Sequence, residues 1–283
     1  MKTILSPTDF SPNAVNAVNY AFSLARTTGA EVIVLHVYPL IPLSFSDLEI
    51  PSAGNEEIRQ AAEIQMKKAY KVITKNFPEV KSQWLVMAGD STDLISDYSV
   101  KCKADLIVIG TTGQGALSRF FFGSTTTAVF KKAACHIIAV PHKAKLPKNV
   151  KLAVTTDLQP DTTSSVNKAV LFGKDLNAEI NLVYFYEFSI DNWGERLEEL
   201  ASKLIVSSGY NAITTYVSQA LFPDAGLAKY IKKEKPSIIS VSAHNWKFPE
   251  TIWNVSTTNQ LLNNIKVPLL VLHVKKGEKA KRK

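Results

Sequence analysis

Two hydrophobic rhythms alternate along this chain: short apolar runs rich in β-branched residues, and longer stretches in which apolar and charged residues interleave. Residues 3–7 form a short apolar strand that ends at Thr8-Asp9. Pro12–Thr28 reads as a helix, because Ser11 can cap it, Pro12 suits its first turn and Gly29 ends it. Residues 31–37 (EVIVLHV) are a continuous apolar run of the kind found in a strand buried on both faces. Residues 55–76 read as a long helix, 81–87 as a third strand, 91–102 as a helix and 104–109 (ADLIVI) as a fourth strand. A helix over 124–134 and a fifth strand over His136–Val140 complete the series. The βαβαβαβαβ order predicts an α/β fold with an open, doubly wound, five-stranded parallel sheet and helices on both faces. In such sheets ligands sit at the carboxyl ends of the strands, at the switch point.

The same pattern occurs twice. Residues 3–38 align with 151–186 without a gap at an offset of 148, with identities at Thr8/Thr156, Asp9/Asp157, Pro12/Pro160, Val18/Val166, Asn19/Asn167, Ala30/Ala178, Glu31/Glu179 and Tyr38/Tyr186. Further on the offset is 132, with Tyr98/Tyr230, Lys101/Lys233, Ile107/Ile239, Ser124/Ser256, Thr125/Thr257 and Thr126/Thr258. The second copy is thus 16 residues shorter, and the loss lies after Tyr38. Polar identities in one order argue for duplication more strongly than apolar ones. The expected organisation is two tandem domains, 1–143 and 149–275, followed by a basic tail at 276–283.

Composition narrows the class. The 283 residues suit two domains, and 46% hydrophobic with 20% charged residues excludes a disordered or collagen-like chain. No apolar run approaches the ~18 residues that span a bilayer, and the first residues do not read as a signal peptide. Cys102 and Cys135 are too few for a disulfide scaffold. The expectation is a cytoplasmic protein with reduced thiols. Of the net charge of +8, residues 275–283 carry +5, so the body is only mildly basic. Such a tail can touch nucleic acid or anionic lipid, but no aromatic-interleaved basic stripe accompanies it. Neither nucleic acid nor membrane is expected as a partner, and the tail reads as a solvated end.

The chemistry-bearing motif follows the fourth strand. Gly110-Thr111-Thr112-Gly113, nine residues, then Gly123-Ser124 give G-x2-G-x9-G-S. Gly110 and Gly113 lack a Cβ and let the loop backbone approach a ligand. Gly123-Ser124 opens a helix whose free N–H groups and dipole suit an anion. Hydroxyls of Ser124, Thr125 and Thr126 add donors. The same glycines also serve as ordinary turn and cap residues, and spacing alone does not decide between the two. A Walker lysine and a first-strand G-x-G-x-x-G are both absent. The five histidines lack zinc spacing, His36 reads as a satisfied core residue, and the two cysteines read as buried thiols. No G-x-S-x-G elbow is present.

G-x2-G-x9-G-S after an apolar fourth strand resembles the ATP-binding motif of the universal stress protein family. Residues 4–11 (ILSPTDFS) look like that family's first strand, and Val34-Leu35-His36-Val37 like its second. Residues 135–140 (CHIIAV) are similar to its Cys-Pro-apolar strand, with His in place of Pro. The resemblance spans both halves, as in a tandem member, and implies a Rossmann-like fold of the adenine nucleotide alpha hydrolase-like type. It implies an adenine nucleotide (ATP, ADP or AMP) as ligand, with Mg²⁺ on the phosphates. By position, Pro7, Thr8 and Asp9 match nucleoside contacts and Val37 the backbone beside the adenine edge. Ile109 and Gly110 match the ribose and phosphate turn, and Gly113, Gly123, Ser124, Thr125 and Thr126 the phosphate contacts. Asp9 has a second reading, as a turn or cap residue, to which Asp157 at the same repeat position adds weight.

The second copy departs from the motif. Gly110, Gly113 and Gly123 become Ser242, Asn245 and Val255, and Trp246 and Trp253 stand where the first copy has Gln114 and Phe121. Valine puts a β-branched side chain where phosphate needs bare backbone and is poor at positive φ. The expected function is an adenine-nucleotide-binding stress-response or signalling protein with one competent site, in the first half. No residue stands out as a water activator beside a γ-phosphate, so at most slow hydrolysis is expected. The alternative is a nucleotide-free scaffold that binds a protein partner, its two halves serving as an intrachain pseudo-dimer. The resemblance implies pairing through the last strands, here His136–Val140 with residues 267–274, with a homodimer of two chains as the further option. Segment 39–62 is either a cover over the first pocket or a plain surface loop.

Overall fold

The computed structural model describes residues 1–40, 53–111, 123–159, 162–188, 192–242 and 266–273. The glycine loop around Gly113, the second-copy positions Asn245, Trp246, Trp253 and Val255, residues 41–52 of the 39–62 segment and the basic tail lie outside the described residues.

The first half runs β1 (Thr3–Thr8), α1 (Pro12–Thr28), β2 (Glu31–Tyr38), α2 (Ala53–Asn76), β3 (Ser82–Ala88), α3 (Ser91–Lys101), β4 (Leu106–Gly110), α4 (Ser124–Lys132) and β5 (His136–Val140). In the second half β6 (Lys151–Thr155), α5 (Thr163–Asp175), β7 (Glu179–Tyr186), α6 (Trp193–Ser208), β8 (Ile213–Gln219), α7 (Pro223–Glu234), β9 (Ile238–Ser242) and β10 (Leu269–Leu272) repeat the order. Local signals set several of these bounds. Ser11 Oγ accepts the Ala14 N–H to cap α1, and Gly29, at φ 72°, closes its end. The Asp90 carboxylate accepts from the Thr92 and Asp93 N–H groups and caps α3. Helix α4 stops two residues short of the expected 134, because Ala133 turns extended (φ −64°, ψ 143°) on the way into β5.

Strand order in the single sheet is β3-β2-β1-β4-β5-β10-β9-β6-β7-β8. Each half therefore has the doubly wound order with a switch point, β1/β4 in the first half and β6/β9 in the second. Every pair is parallel except β5/β10, which is antiparallel in the register Leu269↔Ala139, Leu270↔Ile138, Val271↔Ile137. The intrachain pairing of last strands is thus formed, and it makes one ten-stranded sheet of the two halves. Ile137, Ile138, Ala139, Leu270 and Val271 are fully buried there. One apolar layer, under α1, α2, α5 and α6, and another, under α3, α4 and α7, each contain residues of both halves.

Candidate functional site

At the first switch point the chain leaves β1 through Thr8-Asp9-Phe10-Ser11. Two side chains wind this exit onto its own backbone. Thr8 Oγ1 accepts the Phe10 N–H at 3.0 Å, and Asp9 Oδ1 accepts the Ser11 N–H at 3.0 Å. Phe10 is held at φ 62°, a left-handed conformation that a bulky residue rarely takes. Its ring lies 4.3 Å from that of His36, tilted 42°. His36 Nδ1 donates to the Thr8 carbonyl oxygen at 2.8 Å; a carbonyl only accepts, so Nδ1 carries the proton. Strand β1 stops at Thr8, opposite His36, while Val37 and Tyr38 continue in register with Met87 and Ala88 of β3. On the β1 side, Val37 extends past the end of the neighbouring strand.

Across the switch point, β4 ends at Gly110. A Cβ there would lie 3.0 Å from Asn13 Nδ2 and 3.2 Å from the Asn13 carbonyl carbon and oxygen. The missing side chain of Gly110 thus admits the first turn of α1, which adds a structural reason to the ligand-approach reading. Hydrogen bonds stitch the two ends of the glycine loop together. The Thr111 N–H donates to the Val140 carbonyl (3.1 Å), and the Gly123 N–H donates to the Thr111 carbonyl (2.7 Å). Asn13 Nδ2 donates to Thr111 Oγ1 at 3.4 Å. The buried Thr126 hydroxyl donates to the Gly110 carbonyl at 2.9 Å. In this arrangement the hydroxyl proton ties α4 to the end of β4, a structural role beside its expected phosphate contact. Ser124 is exposed and Thr125 half-buried at the start of α4. Gly123 sits at φ −60°, ψ 158°, which any residue adopts, so positive φ is not what requires glycine there. Ile109 is buried in the core. Pro7, Thr8, Asp9, Val37, Ile109, Gly110, Gly123, Ser124, Thr125 and Thr126 all belong to the carboxyl edge of β1, β2 and β4 or to the helix start facing it.

The second switch point keeps the turn. Thr156 Oγ1 accepts the Leu158 N–H (3.1 Å), Asp157 Oδ1 accepts the Gln159 N–H (3.0 Å), and Leu158 has φ 59°. This winding is therefore a structural property of both copies, and the turn role of Asp9 is realised whatever else the carboxylate does. Other parts differ. Ser242 ends β9 where Gly110 ends β4, and Tyr184, at the position of His36, packs its ring on Trp193 at 5.1 Å. Phe188, Leu221 and Phe222 stand 63% exposed at this edge, where the first copy has Leu40, Gly89 and Asp90.

The thiols are free and half-buried rather than fully buried as expected, and desolvation pushes Cys135 up to about 11 and Cys102 upward as well, which favours the protonated form of both. Among the described residues no group of three or more His, Cys, Asp or Glu side chains could hold a metal, and no helix is long and apolar enough to cross a membrane. Sequence reasoning missed two contributors to the site, the Asn13 support beneath Gly110 and the His36 bond to Thr8. Only the proximity of His36 to Val37 in the second strand hinted at either.

Comparison with known proteins agrees with this geometry. The sequence profile described as the universal stress protein family matches residues 1–141. A universal stress protein of Methanocaldococcus jannaschii is 32% identical over 147 residues, 51% of this chain and 84% of that protein. One from Thermus aquaticus is 30% identical over 139 residues, 49% of this chain and 98% of that protein. The crystal structure of a universal stress protein from Archaeoglobus fulgidus aligns over 95% of both chains with a TM-score of 0.72 at 18% identity, a likeness of fold across both halves. With the Thr-Asp turn, the glycine pattern after β4 and relatives at this identity over most of their own length, the chain belongs to the universal stress protein family.

Proposed function

We propose that the first half binds one adenine nucleotide at the carboxyl edge of β1, β2 and β4, in a stress-response or signalling protein of the cytoplasm. The observation that carries this reading is the asymmetry of two otherwise matching switch points. Both have the wound Thr-Asp turn; in the first copy the ends of the glycine loop are tied through Thr111 and Thr126, whereas the sequence of the second copy replaces the three glycines with Ser242, Asn245 and Val255. In this reading Asp9 faces the ribose hydroxyls, the backbone of Val37 lies along the adenine edge, and Ile109 and Gly110 floor the ribose-phosphate turn. Gly113, Gly123, Ser124 and Thr125 surround the phosphates, where the free N–H groups at the start of α4 suit an anion. Mg²⁺ would be held chiefly by the phosphates themselves. The chain divides into domains 1–143 and 149–275 with a tail at 276–283, and the second domain carries no nucleotide. The role is binding rather than efficient ATP hydrolysis.

The test begins with protein purified without added nucleotide, denatured, and assayed for ATP, ADP and AMP. About one adenine nucleotide per chain is expected, together with loss of ATP binding in Gly123→Val. Two per chain would overturn the assignment of an empty second half. None, with no binding on titration, would transfer the function to a second reading, a partner-binding scaffold. That reading is favoured by the exposed Phe188, Leu221 and Phe222 at the second edge.

A further inference from the structure

His36 touches the candidate site from beneath, and it does so through two different contacts. Its Nδ1–H reaches the Thr8 carbonyl oxygen at 2.8 Å. That carbonyl belongs to the peptide joining Thr8 to Asp9, so the bond fixes the plane from which Asp9 departs. Its ring also lies 4.3 Å from Phe10, the residue after Asp9, which the turn holds at φ 62°. The left-handed conformation is costly for a non-glycine residue, and packing of the Phe10 ring on His36 offsets part of this. Asp9 is therefore gripped from both sides by one imidazole. The grip is a feature of the first copy. At the equivalent position stands Tyr184, whose ring packs on Trp193.

We propose that His36 is a positioning residue for the nucleoside end of the site, holding the Thr8–Asp9 peptide and Phe10 so that the Asp9 carboxylate meets the ribose. This rests on the nucleotide-binding reading above. The inference assigns a specific atom, Nδ1, and a specific part of the ligand, the nucleoside. Phosphate contacts lie on the other side of the switch point, at Gly110 and α4, and do not pass through His36.

Both assignments are testable with the full-length protein and adenosine, AMP and ATP as probes in equilibrium titrations. In His36→Leu the three affinities fall together, by about three- to tenfold for one lost net hydrogen bond. His36→Asn places an amide N–H where Nδ1–H stood and restores binding to within about twofold by the same reasoning. His36→Gln places its donor one atom further out and does not. Thr126→Val, which cuts the stitch of the glycine loop, weakens ATP more than adenosine. Circular dichroism and melting temperature confirm folding, and the contrast between the glutamine and asparagine variants carries the test if the leucine variant does not fold: equal binding in the two would overturn the proposal. Unchanged binding in both His36→Leu and His36→Gln would overturn the proposal, as would rescue by Gln instead of Asn, or a loss confined to ATP. Wild-type protein without affinity for any of the three probes would sink the nucleotide reading itself, and the proposal with it. Long-range ¹H–¹⁵N spectra of the imidazole give a ligand-free check: the proton is expected on Nδ1, and a ring protonated only at Nε2 overturns the assignment.

Discussion

Lowering the pH loosens the seam between the two halves at one identifiable group. His136 opens β5, and its Nδ1 accepts the backbone N–H of His273, which follows β10, at 3.3 Å. Burial is the main reason its imidazole drops from 6.5 to about 4, with Lys168 of α5 and the neighbouring His273 adding to the effect and Asp105 opposing it. The His273 imidazole is also lowered by burial, and its Nε2 is buried without a hydrogen-bond partner among the described residues. The sign follows from linkage. A folded state that resists protonation keeps its full stability above the unfolded value near 6.5 and loses it as the pH falls towards 4, because the unfolded chain takes up the proton first. The fall from 6.5 to about 4 amounts to ~3 kcal/mol for His136. His136→Asn keeps an acceptor, Oδ1, near the place of Nδ1 and removes the titration. Urea denaturation of both proteins at fixed ionic strength between pH 7.5 and 4 isolates this contribution, since the carboxylates titrate alike in each. Wild type should lose about 3 kcal/mol more than the variant across this range, most of it below pH 6.5. Parallel stability curves for the two proteins would refute the reasoning.

Three further expectations concern packing. Gly110→Ala drives a methyl group to 3.0–3.2 Å from Asn13; a loss of about 1–3 kcal/mol on chemical denaturation is expected, and no loss would show that α1 yields freely. Ile138→Ala at the fully buried seam should cost about 2–5 kcal/mol in the same assay, and a value below 1 would mean that the seam closes around the lost side chain. Tyr20 is 2% exposed, and its hydroxyl is buried without a hydrogen-bond partner among the described residues. Tyr20→Phe removes an unsatisfied group and should raise stability by about 1 kcal/mol; a fall in melting temperature would reveal a bond to that hydroxyl.

The sequence made the elements legible where the physics is local. Apolar runs marked the strands, and Ser11, Pro12 and Gly29 bracketed α1 to the residue. The β5/β10 seam was legible only through the family resemblance, which implies pairing of last strands, applied to the two copies that the duplication puts on one chain. Non-local effects stayed hidden. Nothing near Gly110 in the chain shows that Asn13, on a different element, fills the space a Cβ would take. The left-handed residues at the strand exits are Phe10 and Leu158, not the Gly or Asn that ordinarily mark such positions. They are held there by side-chain turns from Thr8, Asp9, Thr156 and Asp157. At Gly123 the helix start has ordinary extended backbone (φ −60°, ψ 158°), so of the two objections to a valine there, loss of bare backbone holds and positive φ does not apply.

Covalent duplication also frees the seam from a constraint that a homodimer would impose. In an isologous antiparallel pair every contact occurs twice, once at each end, because both copies present the same residues. Here the register places His136 and His273 at one end of the β5/β10 pair. The repeat-equivalent positions at the other end are Pro268 and Pro141. A histidine introduced into a homodimer would put a titratable pair at both ends and double the loss in acid. With the two strands on one chain, a single histidine pair is set against prolines, which do not titrate. The acid response of this seam is therefore that of one His136–His273 contact, so replacing His136 alone should be enough to flatten most of its share of the pH dependence.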